Sequence, residues 1–396
     1  MGRLSSLIAA RKDAISGGRR PVVALVTDSV FPYHCGGKES RYHELLSRLA
    51  SRAELHVYTM NWWQGPRRRA DGFATFHAVC RLHPMYGRGR RSMKQAVFFA
   101  LGCLRLLTGR FDVLEADHMP YLQILVLKLV TTLRRKRLVV TWHEVWGQDY
   151  WRQYLGPVGL LAWLIEWLAM RAPDHIIAAS AQTAERLSAA TNGRAKLTVA
   201  PNGIDLDTIS TCPRSGDPVD VVAVGRLIEH KRIDLLLEAI AELHASGYPV
   251  TCRIIGDGPD NSALHAQAES LGLTSAVEFR HDVREQKDLY GLMKSARVFA
   301  FPSAREGFGI AVLEAIACGL PVATTSAPDN LARHLVTDYA RGAICEPTVT
   351  AFTECLRELL TGSSDPGDEA GASTESWLAS FSWNETASLV AAALRI

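Results

Sequence analysis

The sequence predicts an α/β protein made of two open parallel sheets, each covered by helices and facing the other across a cleft. Three observations carry this. The chain has 396 residues, which suits two domains, and 47% of them are apolar, enough for two cores. Short runs rich in Val, Ile and Leu alternate with helical patterns, as in parallel sheets with helices on both faces. The alternation breaks once, at DTISTCPRSGDP (207–218), and then restarts.

The elements follow in order. Residues 1–19 read as a loose amphipathic tail ending at Gly17-Gly18. PVVALVTDSVF (21–31) is a buried strand, and SRYHELLSRLA (40–50) places Leu45, Leu46 and Leu49 on one helical face. ELHVYTM (54–60), FDVLEAD (111–117), RLVVTWHE (137–144), HIIAAS (175–180) and KLTVAPNG (196–203) are further strands, closing a first domain over 20–211. A second domain over 212–376 holds VDVVAVGRL (219–227), VTCRIIGDG (250–258), AVEFRHDV (276–283), ARVFAFPS (296–303), PVATTS (321–326) and GAICEP (342–347). TGSSDPGDEAGASTES (361–376) reads as a polar loop, and 377–396 as a terminal helix.

Several classes drop out. No apolar core precedes a small-residue cleavage site at the N-terminus, so no signal peptide is expected. MGRLSS fits the permissive myristoylation pattern and is read as fortuitous. Met119–Leu133 is interrupted by Gln123 and Lys128, and Gly156–Met170 is short and carries Glu166, so neither spans a membrane. The eight cysteines form no CxxC pair or zinc spacing, which suits reduced thiols in a cytoplasmic protein. No metal, cofactor or nucleic-acid partner is expected.

The net charge of +3 conceals an asymmetry. Residues 1–210 carry 29 Lys and Arg against 16 Asp and Glu, a surplus of +13; the remainder carries 15 against 25, or −10. The clusters Arg67–Arg69, Arg88–Arg91 and Arg134–Arg137 suit an anionic surface or a phosphate-rich partner. Solvated faces and attraction between the two halves are the other reading.

In open parallel sheets, ligands bind at the carboxyl ends of the strands. The residues there are DSVFPYHCGG (28–37), TWHEVWG (141–147), NGID (202–205), GRLIEHKR (225–232), GDGP (256–259) and PSAREGFG (302–309). Arg226 and Lys231 follow a strand and precede a helix, a place where cations and helix N–H groups suit a diphosphate; plain surface charge is the alternative. In PSAREGFGIAVLEAIACGLPV (302–322) a helix is expected from near Gly307 to Ala317. Gly307 and Gly309 would let backbone approach a ligand at its start, with Glu306 at the entrance. Glu314 lies two turns deeper among apolar neighbours. A carboxylate there needs partners; sugar hydroxyls would serve, as would a structural ion pair.

These stretches together resemble glycosyltransferase family 4, whose Glu-x7-Glu spacing Glu306 and Glu314 match. GRLIEHKR is similar to the family's Gly-Arg…Lys diphosphate site, CGGKESRYHELL (35–46) to its Gly-Gly loop, and PNGID (201–205) and IIGDGP (254–259) to further family stretches. TWHE is similar to its Thr-x-His-Asp segment, with Glu144 in place of the commoner Asp. The likeness covers about residues 20–396, more strongly in the second half. It implies the GT-B fold, two Rossmann-like domains facing across a cleft, with FSWNETASLVAAAL (381–394) crossing back onto the first domain. It implies retaining transfer of a hexose-type sugar from a nucleotide-diphosphate donor, UDP-linked by expectation, without a metal.

By the same resemblance, Gly225, Arg226 and Lys231 hold the diphosphate. Glu306, Gly307, Phe308 and Gly309 hold the hexose and distal phosphate, Glu314 the ribose, and His143 the transferred sugar. Gly36 and Gly37 let the first domain approach the diphosphate, and Arg280, His281 and Val283 line the base. Two departures stand out: Phe279-Arg280-His281 replaces the common Phe-x-Gly, and Ala327-Pro328-Asp329-Asn330 replaces Gly-Gly-x-Pro-Glu. The acceptor, a small molecule or a lipid-linked one, is not read from the sequence. TWHEVWGQDYWRQYLG (141–156) lines its side or packs a core. A weak contact with an anionic membrane would make the protein peripheral. A sugar phosphorylase or a nucleotide-sugar epimerase is the alternative enzyme, although no pyridoxal-lysine motif is present.

Overall fold

The computed structural model describes residues 19–34, 36–87, 90–362 and 367–396. Residues 1–18 of the expected tail, with the MGRLSS pattern, Cys35, and Arg88 with Gly89 lie outside them. The first sheet has eight strands: β1 (Val22–Val26), β2 (Glu54–Met60), β3 (Arg68–Asp71), β4 (Ala74–Cys80), β5 (Val113–Asp117), β6 (Arg137–Trp142), β7 (His175–Ala178) and β8 (Leu197–Val199), in the order β8-β7-β6-β5-β1-β2-β4-β3. The second has six: β9 (Val219–Val224), β10 (Cys252–Ile255), β11 (Val277–Arg280), β12 (Ala296–Phe301), β13 (Val322–Thr325) and β14 (Gly342–Cys345), in the order β11-β10-β9-β12-β13-β14. Every pairing in these two sheets is parallel except β3 with β4.

The helices along the chain are α1 (Gly37–Leu49), α2 (Met93–Gly102), α3 (Leu122–Arg134), α4 (Gly147–Leu155), α5 (Gly159–Arg171), α6 (Ala181–Thr191) and α7 (Leu206–Thr211). Then come α8 (Ile233–Ala245), α9 (Asn261–Ser270), α10 (Gln286–Lys294), α11 (Ile310–Ala317), α12 (Arg333–Val336), α13 (Val349–Thr361), α14 (Gly367–Ala379) and α15 (Trp383–Leu394).

The continuous apolar run of β1 is what the middle of a parallel sheet requires, since both faces are covered. Val22, Ala24 and Val26 enter one core with α2, α3 and α5, while Val23 and Leu25 enter another with α1 and α15. The second sheet is likewise covered on both faces. The last helix does return to the first domain. Val390, Ala391 and Leu394 pack with Leu45 and Leu49, and Thr386 Oγ1 donates to the Pro201 carbonyl at 2.9 Å.

One element was missed and two readings are corrected. The β3–β4 hairpin escaped because it sits at the sheet edge, where β3 is wholly exposed and no apolar run marks it. The loop expected at 207–218 begins inside α7, which Asp205 caps by accepting from Thr208 N at 3.0 Å. The polar loop expected at 361–376 becomes helical from Gly367, although the stretch holds seven Gly and Ser against four Ala and Glu and its propensity does not signal a helix.

Candidate functional site

The carboxyl end of β9 turns through Gly225 and Arg226 into a 3₁₀ turn (Glu229–Lys231) and then α8. Gly256, at φ +146°, explains part of IIGDGP: an added Cβ would stand 1.9 Å from the Gly225 carbonyl oxygen. Backbone lies on backbone here, and the β10 loop holds the β9 turn in place. A small pocket follows, lined by Gly225, Arg226, Lys231, Phe301 and Pro302 among others.

Lys231, which lines this pocket, forms an ion pair with Glu306. The Lys231 ammonium also lies 4.6 Å from the centre of the Phe301 ring. Glu306 Oε1 accepts from Gly307 N at 3.1 Å. Burial pushes the Glu306 carboxyl up, but Lys231 and His230 outweigh it and hold it below its ordinary range. The Arg226 guanidinium reaches across to the first domain, donating to Tyr86 Oη at 3.1 Å with the ring centre 4.5 Å away.

Gly309 caps α11, which begins at Ile310, three residues later than the sequence suggested. Phe308 is buried, and Gly37 of the first domain faces Ile310. Glu314 is buried on α11 and accepts from Tyr290 Oη at 2.9 Å. Burial pushes its carboxyl up to about 7, against the lowering effect of Tyr290. A raised folded-state pKa means that Glu314 favours folding at low pH. That contribution fades as pH climbs from about 4.5 through about 7. Glu314→Gln should therefore match wild type near pH 5 and exceed it above pH 8 by on the order of 2 kcal/mol, read from thermal unfolding.

His143 follows β6. Its Nε2 lies 3.7 Å from Asp117 Oδ1, and burial pushes the imidazole down to about 3, so the ring is neutral at ordinary pH. His143 also marks the seam between the domains. A Cβ on Gly307 would stand 2.6 Å from its carbonyl oxygen, so only glycine permits this approach. Ser180 Oγ donates to the Gly307 carbonyl at 3.3 Å, and Arg305 pairs with Glu144 while lying 3.7 Å from the Tyr150 ring centre. The unusual loop at 327–330 is part of this seam: Arg186 donates to Asp329 at 2.8 Å and to the Pro328 carbonyl at 3.0 Å.

Of the residues expected to line the base, His281 is exposed past β11 near His265, and Val283 packs against the core cluster that includes Tyr290 and Phe308. The Trp-rich stretch is largely a packed unit around buried Glu166, which accepts from Trp151 Nε1, Trp146 N and Gly147 N at 2.8, 2.8 and 3.1 Å. Trp142 is fully buried.

Sequence reasoning missed a charged network under the first-domain side of the cleft. Lys38 Nζ lies 2.5 Å from Asp28 and 2.9 Å from Asp117. Arg91 and Gln95 donate to the other Asp28 oxygen at 2.9 and 3.1 Å. Burial opposes charge on Lys38, but Asp117 and Asp28 override it and hold the ammonium protonated. The available signal was a carboxylate at the end of each of two apolar strands, with a lysine beside Gly36-Gly37. Asp117, His118 and His143 bring metal-ligating atoms within 4.8 Å of one another. The Lys38 ammonium already supplies positive charge to that carboxylate.

Residues 35–208 match the family model described as Glycosyltransferase Family 4, and residues 212–370 match Glycosyl transferases group 1. One component of the human phosphatidylinositol N-acetylglucosaminyltransferase is 26% identical over 359 residues, covering 85% of this chain and 68% of that protein. The GDP-mannose-dependent alpha-(1-6)-phosphatidylinositol monomannoside mannosyltransferase of Mycolicibacterium smegmatis is 30% identical over 205 residues, covering 47% of this chain and 53% of that protein. Other curated relatives are likewise spanned over about a third to a half of their length. Among solved structures, sucrose-phosphate synthase from Thermosynechococcus elongatus superposes with a TM-score of 0.77 at 17% identity, covering 95% of this chain and 98% of that one. Anabaena HepE, solved with UDP and glucose, does so with 0.68 at 19%, covering 95% and 99%.

Proposed function

The chain belongs to glycosyltransferase family 4, and on that premise we propose that it moves a hexose-type sugar, with retention of configuration, from a UDP-linked donor to an acceptor hydroxyl. The observation that carries this is the convergence of Arg226 and Lys231 on one strand-end pocket, with Glu306 paired to Lys231 and with His143 and Gly37 across the seam. In this reading the donor diphosphate takes over Lys231 from Glu306 and Arg226 from Tyr86. Glu306, released from Lys231, then accepts from hexose hydroxyls. Neutral His143 bonds a hydroxyl of the transferred sugar, and Glu314 accepts from the ribose. The leaving phosphate helps to deprotonate the acceptor, so no protein nucleophile is assigned. Arg226, Lys231 and the start of α11 supply the electrostatic stabilisation that leaving-group departure needs.

A panel of nucleotide sugars, read by protection against thermal unfolding and by nucleotide release, tests the donor. Protection by none of them would remove the reading. Because the cations belong to the chain, turnover should continue in EDTA; loss of turnover that Mg²⁺ or Mn²⁺ restores would overturn that part. For the acceptor, two of the relatives carry phosphatidylinositol in their names, and the first half of the chain is basic. Both support a lipid-linked hydroxyl presented at an anionic membrane. A small-molecule acceptor is the competing outcome of an acceptor screen.

A further inference from the structure

Helices α2, α3 and α5 lie side by side on one face of the first sheet, and each is apolar on two sides. Their inner sides give Phe99, Ile124, Leu127 and Ala169 to the core. On the outer side of α2, Met93, Val97, Phe98 and Leu101 stand exposed at helical spacing. On α3, Leu129 and Leu133 do the same, Leu133 being 64% exposed. On α5 the outer row is Leu160, Leu161, Leu164 and Leu168. Single exposed hydrophobic side chains need no explanation, but about half of the large ones among the described residues share this face.

Its own charges are mostly positive. The only carboxylate on the three helices is Glu166, which is buried within the Trp-rich unit. Lys94 and Arg135 stand exposed beside the apolar rows, Arg105 is exposed while donating to the Val79 carbonyl, and Lys128 on α3 pairs with Asp174 at 2.7 Å. The RRKR run itself is not a free cluster. Arg134 donates to the Leu106 and Leu107 carbonyls, Lys136 pairs with Asp112 at 3.3 Å, and Arg137 donates to the Ala393 carbonyl at 3.3 Å.

We propose that this three-helix face seats the first domain on an anionic bilayer. The aliphatic rows enter the headgroup–acyl boundary and the surrounding cations meet lipid phosphates. A second copy of the chain fits poorly, because a two-fold contact would set like charges against each other. A protein partner is less suited too, since seven of these ten exposed side chains are leucine, which is under-represented among interface hot spots. Docking deepens the lipid-acceptor reading, yet it is tested without turnover.

The experiment is flotation with phosphatidylcholine vesicles, with and without phosphatidylglycerol, at low and high salt. Thermal unfolding confirms that each variant is folded. Wild type should float with the anionic vesicles and less with the neutral ones. Salt should weaken binding without abolishing it, because the apolar rows are insensitive to screening. Leu133→Glu/Leu161→Glu should lose at least tenfold in vesicle affinity, while Leu271→Glu, on the other domain, should bind as wild type does. Negligible flotation of wild type, or undiminished flotation of the double variant, overturns the proposal. So does a dimer, seen in sedimentation without lipid, that the double variant disrupts.

Discussion

Lys231→Ala should transfer sugar on the order of 10²–10³ times more slowly than wild type while keeping its fold, by analogy with other lost electrostatic donors. The argument starts from the free enzyme. Lys231 is paired with Glu306, so its removal also leaves a partly buried carboxylate without its cation, although the Gly307 N–H remains. A modest fall in thermal stability is therefore expected. Lys231→Ala/Glu306→Gln separates the two effects, because it removes the orphaned charge as well. Stability should recover in the double variant and the transfer rate should not. If the double variant also recovered the rate, Lys231 would be a structural partner of Glu306 and the diphosphate assignment would fall.

Lys38→Met should destabilise the protein by about 3–5 kcal/mol at neutral pH, the usual result of removing one partner from a buried charge pair. Lys38 is held between two fully buried carboxylates, Asp28 and Asp117. In wild type, burial opposes the Asp117 charge, but Lys38 outweighs it and holds the carboxyl well below its ordinary range. Asp117 therefore contributes stability above the usual carboxylate pKa and loses it as pH falls. The variant lacks that contribution, so its deficit should be widest near neutrality and narrow in acid. Denaturant unfolding at several pH values measures this. A constant deficit across the range would mean that packing of the lysine stem, not charge, is what the site requires.

These two lysines also show what a sequence displays. Lys231 was legible because it lies within one local stretch, between a strand end and a helix start, and Glu306 because glycines frame it. The strands of both sheets were legible for a related reason: a parallel strand buried on two faces must be a continuous apolar run, as in VVALV. The Lys38 network leaves no such local trace. Asp28, Arg91 and Asp117 are far apart in sequence, and the two carboxylates meet only because β1 and β5 are neighbours in the sheet. The seam pair Arg305–Glu144 is separated by 161 positions, and its geometry depends on how two finished domains abut. Edge strands and the helix from Gly367 failed for a third reason, since their polar composition suits solvent in more than one conformation.

The return of α15 to the first domain has a consequence for how the molecule could be cut or rearranged. The domains are joined once by the segment around residue 212 and again by the descent from α14 into α15. Such a double connection resembles a strap hinge more than a tether. It favours rotation of one half against the other about the two crossings, and it disfavours free separation. A nick in the first crossing would leave two polypeptides still gripping each other, because Val390, Ala391 and Leu394 stay embedded beside Leu45 and Leu49. Both fragments would then elute as one particle until denaturant pulled the last helix from its seat.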